Sequence, residues 1–160
     1  LGGSHLSKIL TTSLKKNQPE LNITDNEIEL IQIAGLIHDI GHGPFSHLYD
    51  YEFSPSNHHE KRGQILFCEM VSKYDLPFSQ KEINFIIDCI DPPKDLVRNY
   101  KYQIVSNKLC SIDVDKIDYI QRDNYHLGFG LNEKYLRLIH DCRVVQYNGS
   151  LVLGLSLIHI

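Results

Sequence analysis

Three histidines and one aspartate fall within ten residues at the end of the stretch IAGLIHDIGHGPFSH, residues 33–47. They are His38, Asp39, His42 and His47. Imidazole nitrogens and carboxylate oxygens are common ligands of divalent metal ions. A single histidine in such a place would more often be a hydrogen-bonded core residue, but a cluster of this density favours a metal site.

The residues before this cluster predict a helix that would carry it to the edge of the core. The sequence TDNE has the form of a capping box, which predicts a helix starting at Asp25. Apolar residues almost encircle this helix, so we expect it to be central and buried and to end at about His38. A short helix with Pro44 at its first position is then expected over residues 45–51.

A second segment with catalytic residue types is HHEKRG, residues 58–63. His59 and Glu60 open a predicted helix there. The sequence alone leaves His59 open as a catalytic residue or a surface cap, and Glu60 as a catalytic residue or a partner of the helix dipole. Asp50 lies three residues after His47, where its carboxylate could orient that imidazole. A second capping box, SQKE, predicts another helix start at residue 80.

A third segment, SIDVDKIDYIQRD, can present several functional groups on one helix face. The positions i, i+4, i+7 and i+11 hold Asp115, Tyr119, Arg122 and His126. Asp113 and Asp118 are expected to point elsewhere. A solvated charged helix would explain the charges of this face, but it would leave Tyr119 between them unexplained.

These three segments, in this order, resemble the HD-domain metal-dependent phosphohydrolases. The strings HDIGHGPFSH, HHEKRG and IVSNKLCSIDVDKIDYIQRD are most similar to the branch of SAM- and HD-domain-containing deoxynucleoside triphosphate triphosphohydrolases. The resemblance covers about residues 1–147. It implies a mainly α-helical HD-domain bundle, a divalent metal ion (Fe, Mn, Mg or Zn), and hydrolysis of deoxynucleoside triphosphates to deoxynucleoside and triphosphate.

The resemblance also implies roles for individual residues. The metal ligands would be His38, Asp39 and Asp115, with a further histidine immediately before Leu1 that His5 is not expected to replace. The catalytic residues would be His42, His47, Asp50, His59 and Glu60. The substrate-binding residues would be Lys116, Tyr119, Arg122 and Asp123. Arg137 would contact a nucleotide effector between subunits of a homo-oligomer.

Two alternatives stay open at this point. One is an HD phosphodiesterase or nucleotidase that acts on another phosphate ester. The other is a non-catalytic nucleotide-binding regulatory domain that kept the pocket. His47, which the resemblance makes the proton donor to the leaving group, favours an enzyme.

The 160 residues, of which 42% are hydrophobic, suit one domain. We expect an HD domain over residues 1–154 that is truncated at both ends and weak or inactive by itself, with residues 155–160 as a non-native tail. Asn132 and Glu133 are expected to begin a last helix. Asn148-Gly149 between two strand-like runs predicts a hairpin.

Composition indicates which classes of partner and which cellular compartment to expect. A net charge of −4 argues against broad nucleic-acid binding. The four cysteines are far apart in sequence, and nothing resembles a signal peptide. No apolar run approaches the ~20 residues that span a bilayer. We therefore expect a soluble intracellular protein, in the cytoplasm or nucleus, without a membrane partner.

Overall fold

The computed structural model describes residues 1–56, 58–130 and 134–155, with the backbone alone for Lys134 and Tyr135. Its helices are α1 (Gly2–Asn17), α2 (Asp25–Ile37), α3 (His47–Glu52), α4 (His59–Lys73), α5 (Gln80–Ile90), α6 (Val114–Leu127) and α7 (Lys134–Asp141). Short 3₁₀ helices cover Pro19–Leu21 and Tyr100–Gln103, and a two-stranded antiparallel sheet is formed by β1 (Cys142–Tyr147) and β2 (Ser150–Leu155). The predicted mainly α-helical fold with a C-terminal hairpin is confirmed.

Both predicted capping boxes form. The Thr24 hydroxyl accepts a hydrogen bond from the backbone N–H of Glu27 at 3.1 Å, and the Glu27 carboxylate accepts one from the N–H of Thr24 at 2.9 Å. Ser79 and Glu82 make the same reciprocal pair at the start of α5. Each cap stabilises its helix by about 1 kcal/mol, because it satisfies backbone donors that have no partner within the helix.

Helices α1 and α2 approach closely through small residues. A Cβ at Gly35 would lie 2.4 Å from the hydroxyl oxygen of Ser7 and 3.0 Å from the carbonyl oxygen of Gly3. The Ser7 hydroxyl donates to that same carbonyl at 2.7 Å, so its polar group is satisfied inside the contact. A Cβ at Gly3 would lie 3.3 Å from Cε1 of His38. The close packing therefore fixes His38 beside the first turn of α1.

The core continues from this helix pair into α5 and α6. Apolar side chains with almost no exposed surface come from α1, α2, α5, α6, α7 and the residue after the second 3₁₀ helix. They include Leu14, Ile31, Ala34, Ile86, Cys89, Ile104, Val114 and Ile139. Val114 and Ile117 are the buried face of α6, which packs against α1. Asp115 lies between these two apolar anchors, so their burial sets the position of its carboxylate.

The segment between α2 and α3 differs from its prediction. Phe45 and Ser46 have φ values of 62° and 50°, in the left-handed region that costs a residue with a side chain about 1 kcal/mol or more. The helix predicted from Pro44 therefore begins only at His47. The two left-handed residues turn the chain, so His47 stands at the first position of α3 rather than in its middle.

The hairpin has the predicted turn. Asn148 and Gly149 both have positive φ, 47° and 79°, as a type I′ turn requires. The register runs from Tyr147 opposite Ser150 to Cys142 opposite Leu155. Leu155, the first residue of the predicted non-native tail, is therefore paired in the sheet, and residues 156–160 lie outside the described residues. The helix start predicted at Asn132 and Glu133 also lies outside them.

In the described part of the chain, none of the helices combines the length and the apolar character that crossing a lipid bilayer demands.

Candidate metal centre and catalytic cluster

Three side chains from two distant segments converge on one point. Nε2 of His38 lies 3.1 Å from Oδ1 of Asp115 and 3.2 Å from Oδ2 of Asp39. One ligand atom from each of the three residues lies within 4.8 Å of the others. Ligands that sit about 2.1 Å from a metal ion at right angles to each other are about 3 Å apart. The spacing and the N, O, O chemistry of this triad therefore fit a divalent metal ion.

The ring orientation of His38 suits a ligand. Its Nδ1 lies 3.0 Å from the carbonyl oxygen of Gly35, to which a protonated Nδ1 donates. That hydrogen bond leaves Nε2 as the nitrogen that faces the two carboxylates, which is the usual arrangement of a metal-ligating histidine. The triad lines a cavity of about 100 Å³ together with His59, Glu60 and Ser106. The cavity is large enough for an ion and a few waters.

The charges of the triad are mutually stabilised. Burial lowers the pKa of His38, but hydrogen bonds from its ring to Asp115 and Asp39 outweigh burial and raise that pKa to about 10. The hydrogen bond to His38 is the main reason why the pKa of Asp39 is lowered. At neutral pH both carboxylates attract a cation at this point. A metal ion must then displace the proton on Nε2 of His38.

The competition between a proton and a metal ion for Nε2 of His38 gives a first prediction. Metal binding at neutral pH should release about one proton per ion, and the apparent affinity should rise roughly tenfold per pH unit between pH 6 and pH 8. The sign follows from the raised pKa of His38, because the proton is held throughout that range unless the metal replaces it. Calorimetric titration with Mn²⁺ in buffers of different ionisation enthalpy measures the proton release. The same titration of His38→Gln should lose both the tight binding and the proton release.

Three imidazole rings form a cluster beside the triad. His42 stacks on His59 with ring centres 3.9 Å apart and an interplanar angle of 15°. The ring of His47 lies 5.2 Å from that of His42 and 5.4 Å from that of His59, edge-on to both. His42 joins this cluster to the triad, since its Nε2 is 3.4 Å from Oδ1 of Asp39. Three of the catalytic residues predicted from sequence thus lie together and next to the predicted ligands.

His42 has one buried ring nitrogen that is not used within the cluster. Its Nδ1 is buried and makes no hydrogen bond with any described residue. Burial, with the neighbouring His59 as a second cause, lowers the pKa of His42, which favours the neutral form of this imidazole. A neutral imidazole with an unpartnered buried nitrogen can accept a hydrogen bond from a bound water or ligand.

Asp50 is buried, with 2% of its surface exposed, and it contacts a different histidine from the one predicted. Its Oδ2 accepts from Nδ1 of His59 at 2.8 Å and from the backbone N–H of His59 at 3.3 Å. Its other oxygen accepts from Arg62. The expectation that Asp50 orients His47 is therefore wrong in its partner. The partners of Asp50 come instead from the first turn of α4, where His59 and Arg62 lie.

Glu60 and His47 line a second, larger cavity of about 520 Å³ beside the first. Its walls are formed by His47, Asp50, Tyr51, Ser56, His58, His59, Glu60, Lys61 and Asp91. Oε2 of Glu60 is 3.5 Å from Nδ1 of His59, and Glu60 lines both cavities. The two cavities share His59 and Glu60, so a ligand that spans them would touch the metal triad and the histidine cluster together.

Helix α6 carries the predicted substrate-binding residues, and these line neither cavity among the described residues. Tyr119 is 37% exposed, and Asp123 is exposed. The Arg122 guanidinium pairs with Asp118 at 2.8 Å. The expectation that Asp118 points away from this face is wrong, because residues four apart on a helix are neighbours. The backbone N–H of Lys116 donates to the Asp113 side chain, which caps α6.

Arg137, the predicted effector contact, lies far along the chain on α7. Its Nε donates to the carboxylate of Asp141 at 3.2 Å, and 68% of its side chain is exposed. In the described part of the chain, Arg137 is free of contact with the metal triad and the histidine cluster, so its predicted role would belong to a separate site.

A close backbone contact holds the loop after α2 against α4. A Cβ at Gly41 would lie 2.0 Å from the carbonyl oxygen of His59 and 2.4 Å from the amide nitrogen of Gly63. Neither backbone atom can move without shifting the start of α4. The contact places His42, the next residue in the loop, onto the ring of His59.

We predict that Gly41→Ala lowers the free energy of unfolding by about 3 kcal/mol, because the added methyl overlaps rigid backbone. The control is Gly63→Ala on the other side of the contact. A Cβ at Gly63 meets its nearest atom only at 3.5 Å, and alanine favours a helix over glycine by up to about 1 kcal/mol. Urea denaturation measures both variants. Equal free energies of unfolding in Gly41→Ala and Gly63→Ala would contradict this close backbone contact.

Arg62 also contributes to the histidine cluster, and it was not among the residues predicted from the sequence. Its guanidinium donates to Asp50 and, through Nε, to the carbonyl oxygen of Gly41 at 2.9 Å. The only sign in the sequence was its place three residues after His59, on the same side of a predicted helix. Charge at that position is equally typical of a solvated helix face, so periodicity alone does not single it out.

The chain is similar in sequence to known proteins over most of its length. The HD domain family matches residues 3–123. The chain is 39% identical to mouse (Mus musculus) deoxynucleoside triphosphate triphosphohydrolase SAMHD1 over 91% of the chain and 26% of the relative. It is 36% identical to the human (Homo sapiens) protein of the same name over 94% of the chain and 29% of the relative. It is 45% identical to a putative HD domain-containing protein of Acanthamoeba polyphaga mimivirus over 76% of the chain and 28% of the relative.

The chain thus spans less than a third of the length of these relatives. The matched residues 3–123 include the metal triad, the histidine cluster and Asp50, which are the parts of the fold described above. The match covers well over half of the 160 residues. The chain therefore belongs to the HD domain family.

Proposed function

We propose that this chain is the catalytic HD module of a metal-dependent phosphohydrolase that cleaves deoxynucleoside triphosphates to deoxynucleoside and triphosphate. The observation that carries the proposal is the convergence of His38, Asp39 and Asp115 directly beside three stacked or edge-on histidines. Two of its relatives are named deoxynucleoside triphosphate triphosphohydrolases, which supports this substrate class.

In this proposal, His38, Asp39 and Asp115 hold a divalent ion. When bound, such an ion lowers the pKa of coordinated water and polarises a phosphoryl oxygen. The N and O donors without thiolate suit Fe, Mn, Mg or Zn. Metal content measured after purification and after reloading with each of the four ions identifies the one the site prefers.

The histidines beside the triad handle protons. Water adds to the α-phosphorus, the bond from that phosphorus to the 5′ oxygen of the nucleoside breaks, and the 5′ oxygen needs a proton. His47 supplies it, because its ring is exposed and lines the larger cavity. His59, bonded through Nδ1 to Asp50, has Nε2 available to accept a proton or a phosphate hydrogen bond. Such general acid–base groups typically contribute about 10²–10⁴-fold.

Cations in and near the larger cavity offset the charge of the triphosphate. Lys61 lines that cavity with His58 and His59. Lys116 and Arg122 remain further phosphate contacts in the proposal, and Arg122 would have to exchange Asp118 for phosphate. Tyr119 and Asp123 would contact the deoxyribose, with the phenol of Tyr119 blocking a 2′-hydroxyl.

Regulation and assembly form a separate part of the proposal. Arg137 would contact a nucleotide effector, and the full-length protein would assemble into a homo-oligomer around it. Exposure of Arg137 and its single carboxylate partner on the same helix are compatible with recruitment to a phosphate. Filter binding of labelled nucleotide to Arg137→Ala, with unchanged binding at the catalytic cluster, would separate the two sites.

Product analysis tests the proposed reaction. The chain loaded with Mn²⁺ and given dGTP should release deoxyguanosine and triphosphate, resolved by anion-exchange chromatography, at a low rate that is still above that of Asp115→Asn. GTP serves as the matched control and should be cleaved more slowly. Pyrophosphate or orthophosphate as the first product would favour the phosphodiesterase or nucleotidase alternative. Nucleotide binding without any cleavage would favour the regulatory domain.

A further inference from the structure

Arg62 contacts three parts of the catalytic cluster with one guanidinium group. Its Nε donates to the carbonyl oxygen of Gly41, in the loop after α2, at 2.9 Å. Its Nη2 donates to Oδ1 of Asp50 in α3. The guanidinium carbon lies 5.1 Å above the ring centre of Tyr49, also in α3. Arg62 itself belongs to the first turns of α4, and only 17% of its side chain is exposed.

The carboxylate between Arg62 and His59 would be costly without the arginine. Asp50 is buried, and each of its oxygens has a partner, Arg62 on one side and His59 on the other. A buried carboxylate without a compensating cation is strongly destabilising. The hydrogen bond from Arg62 is the main cause that holds the pKa of Asp50 far below its usual range, against the effect of burial. Asp50 is therefore a fixed anion, and it accepts rather than donates the bond to His59.

We infer that Arg62 is a positioning residue of the catalytic cluster, which acts through Asp50 to set the tautomer and direction of the His59 ring. With Oδ2 of Asp50 as acceptor, the proton of neutral His59 stays on Nδ1, and Nε2 keeps its lone pair as an acceptor. The bond to the Gly41 carbonyl holds the loop that presents His42 to that ring. Asp50, His59 and Arg62 thus act as one unit.

The geometry requires an arginine rather than any cation. Two N–H groups of one planar fork point to two different chain segments, the Gly41 carbonyl and the Asp50 carboxylate. A lysine at this position carries the charge but offers a single point of contact on a flexible stem. Arg62→Lys should therefore keep Asp50 ionised while it releases the loop. Arg62→Gln removes both the charge and one of the two contacts.

The inference rests on the proposed function in one respect, the assignment of His59 to catalysis. Nitrogen-15 NMR of the histidine side chains tests it without turnover, on the 160-residue chain with Mg²⁺ and at a pH at which the ring is neutral. We expect His59 to be almost wholly the Nδ1–H tautomer in the unsubstituted chain and a mixture of both tautomers in Arg62→Gln. Arg98→Gln, which removes an exposed arginine elsewhere, should leave the spectrum unchanged.

Kinetics and chemical rescue provide the second readout. Arg62→Lys should lower kcat for dGTP by about 10–100-fold, the usual cost of losing a group that orients a catalytic residue, with KM nearly unchanged. Guanidinium chloride well below denaturing concentrations should restore part of the Nδ1–H tautomer in Arg62→Ala, whereas sodium chloride at the same ionic strength should not.

The outcomes separate this inference from the proposed function. An unchanged His59 tautomer in folded Arg62→Gln overturns the inference, whatever the chain hydrolyses. A tautomer shift in a chain whose first product from dGTP is pyrophosphate or orthophosphate overturns the proposed function and leaves the positioning role intact. Circular dichroism identifies the folded variants. If Arg62→Gln does not fold, Arg62→Lys, which retains the charge, is used in its place. An unchanged His59 tautomer together with an unchanged kcat in Arg62→Lys then overturns the inference.

Discussion

Replacing Asp115 by asparagine should weaken metal binding by at least about 100-fold. The carboxylate supplies one of three donor atoms and part of the negative charge that attracts the ion, and its Oδ1 lies 3.1 Å from Nε2 of His38. Loss of a residue that only orients a ligand already costs about 10–100-fold, so loss of a ligand should cost more. Elemental analysis after loading with Mn²⁺ and gel filtration measures the bound metal, and calorimetry gives the affinity.

Asp118→Asn is the matched control for this experiment. It removes the same charge from the same helix, three residues further on, but its carboxylate pairs with Arg122 instead of the triad. Asp118→Asn should leave the metal content unchanged. Equal metal content in Asp115→Asn and the unsubstituted chain would remove Asp115 from the metal centre and, with it, the main support for the proposed function.

The second large effect is expected for His47→Ala, which should lower dGTP turnover by about 10²–10⁴-fold while metal content stays the same. His47 lies outside the metal triad, and its ring is 5.2 and 5.4 Å from the two other imidazoles of the cluster. Loss of the proton donor to the leaving 5′ oxygen slows bond cleavage without changing the ligands of the ion. Single-turnover measurements with metal-loaded protein isolate this step.

His126→Ala is the control for a histidine substitution that leaves the cluster untouched. His126 is exposed at the end of α6, where its ring packs edge-on against Tyr125. Turnover should stay within about twofold of that of the unsubstituted chain, as is usual for a surface change. A large loss of dGTP turnover in His126→Ala, or full turnover in His47→Ala, would contradict the assignment of His47 as the proton donor. The proposed metal centre would survive either result.

Local features of the chain could be predicted because their causes are local. The capping boxes that begin α2 and α5 involve residues three apart, and Asn148-Gly149 sets its turn through its own φ values. The clustering of His38, Asp39 and His42 in five residues already indicated metal chemistry. Each of these depends on interactions within about one helical turn, which the order of residues fixes.

The completion of the metal triad depended on tertiary packing. Periodicity placed Asp115, Tyr119 and Arg122 on one face of α6, but it could not bring that face to His38, which lies 77 residues earlier. The burial of Val114 and Ile117 against the core and the close contact of α1 with α2 do so. The resemblance of this segment to the HD-domain phosphohydrolases had already implied that Asp115 joins His38 and Asp39.

The partner of Asp50 was decided by the tertiary structure alone. Sequence spacing put His47 within one turn of Asp50, and that proximity suggested the wrong histidine. In the folded chain the buried carboxylate meets His59 and Arg62 at the start of α4 instead. A buried charge takes the partners that compensate it best in three dimensions, and those came from another helix. The sequence determined which chemical groups this site contains, and packing determined which of them act together.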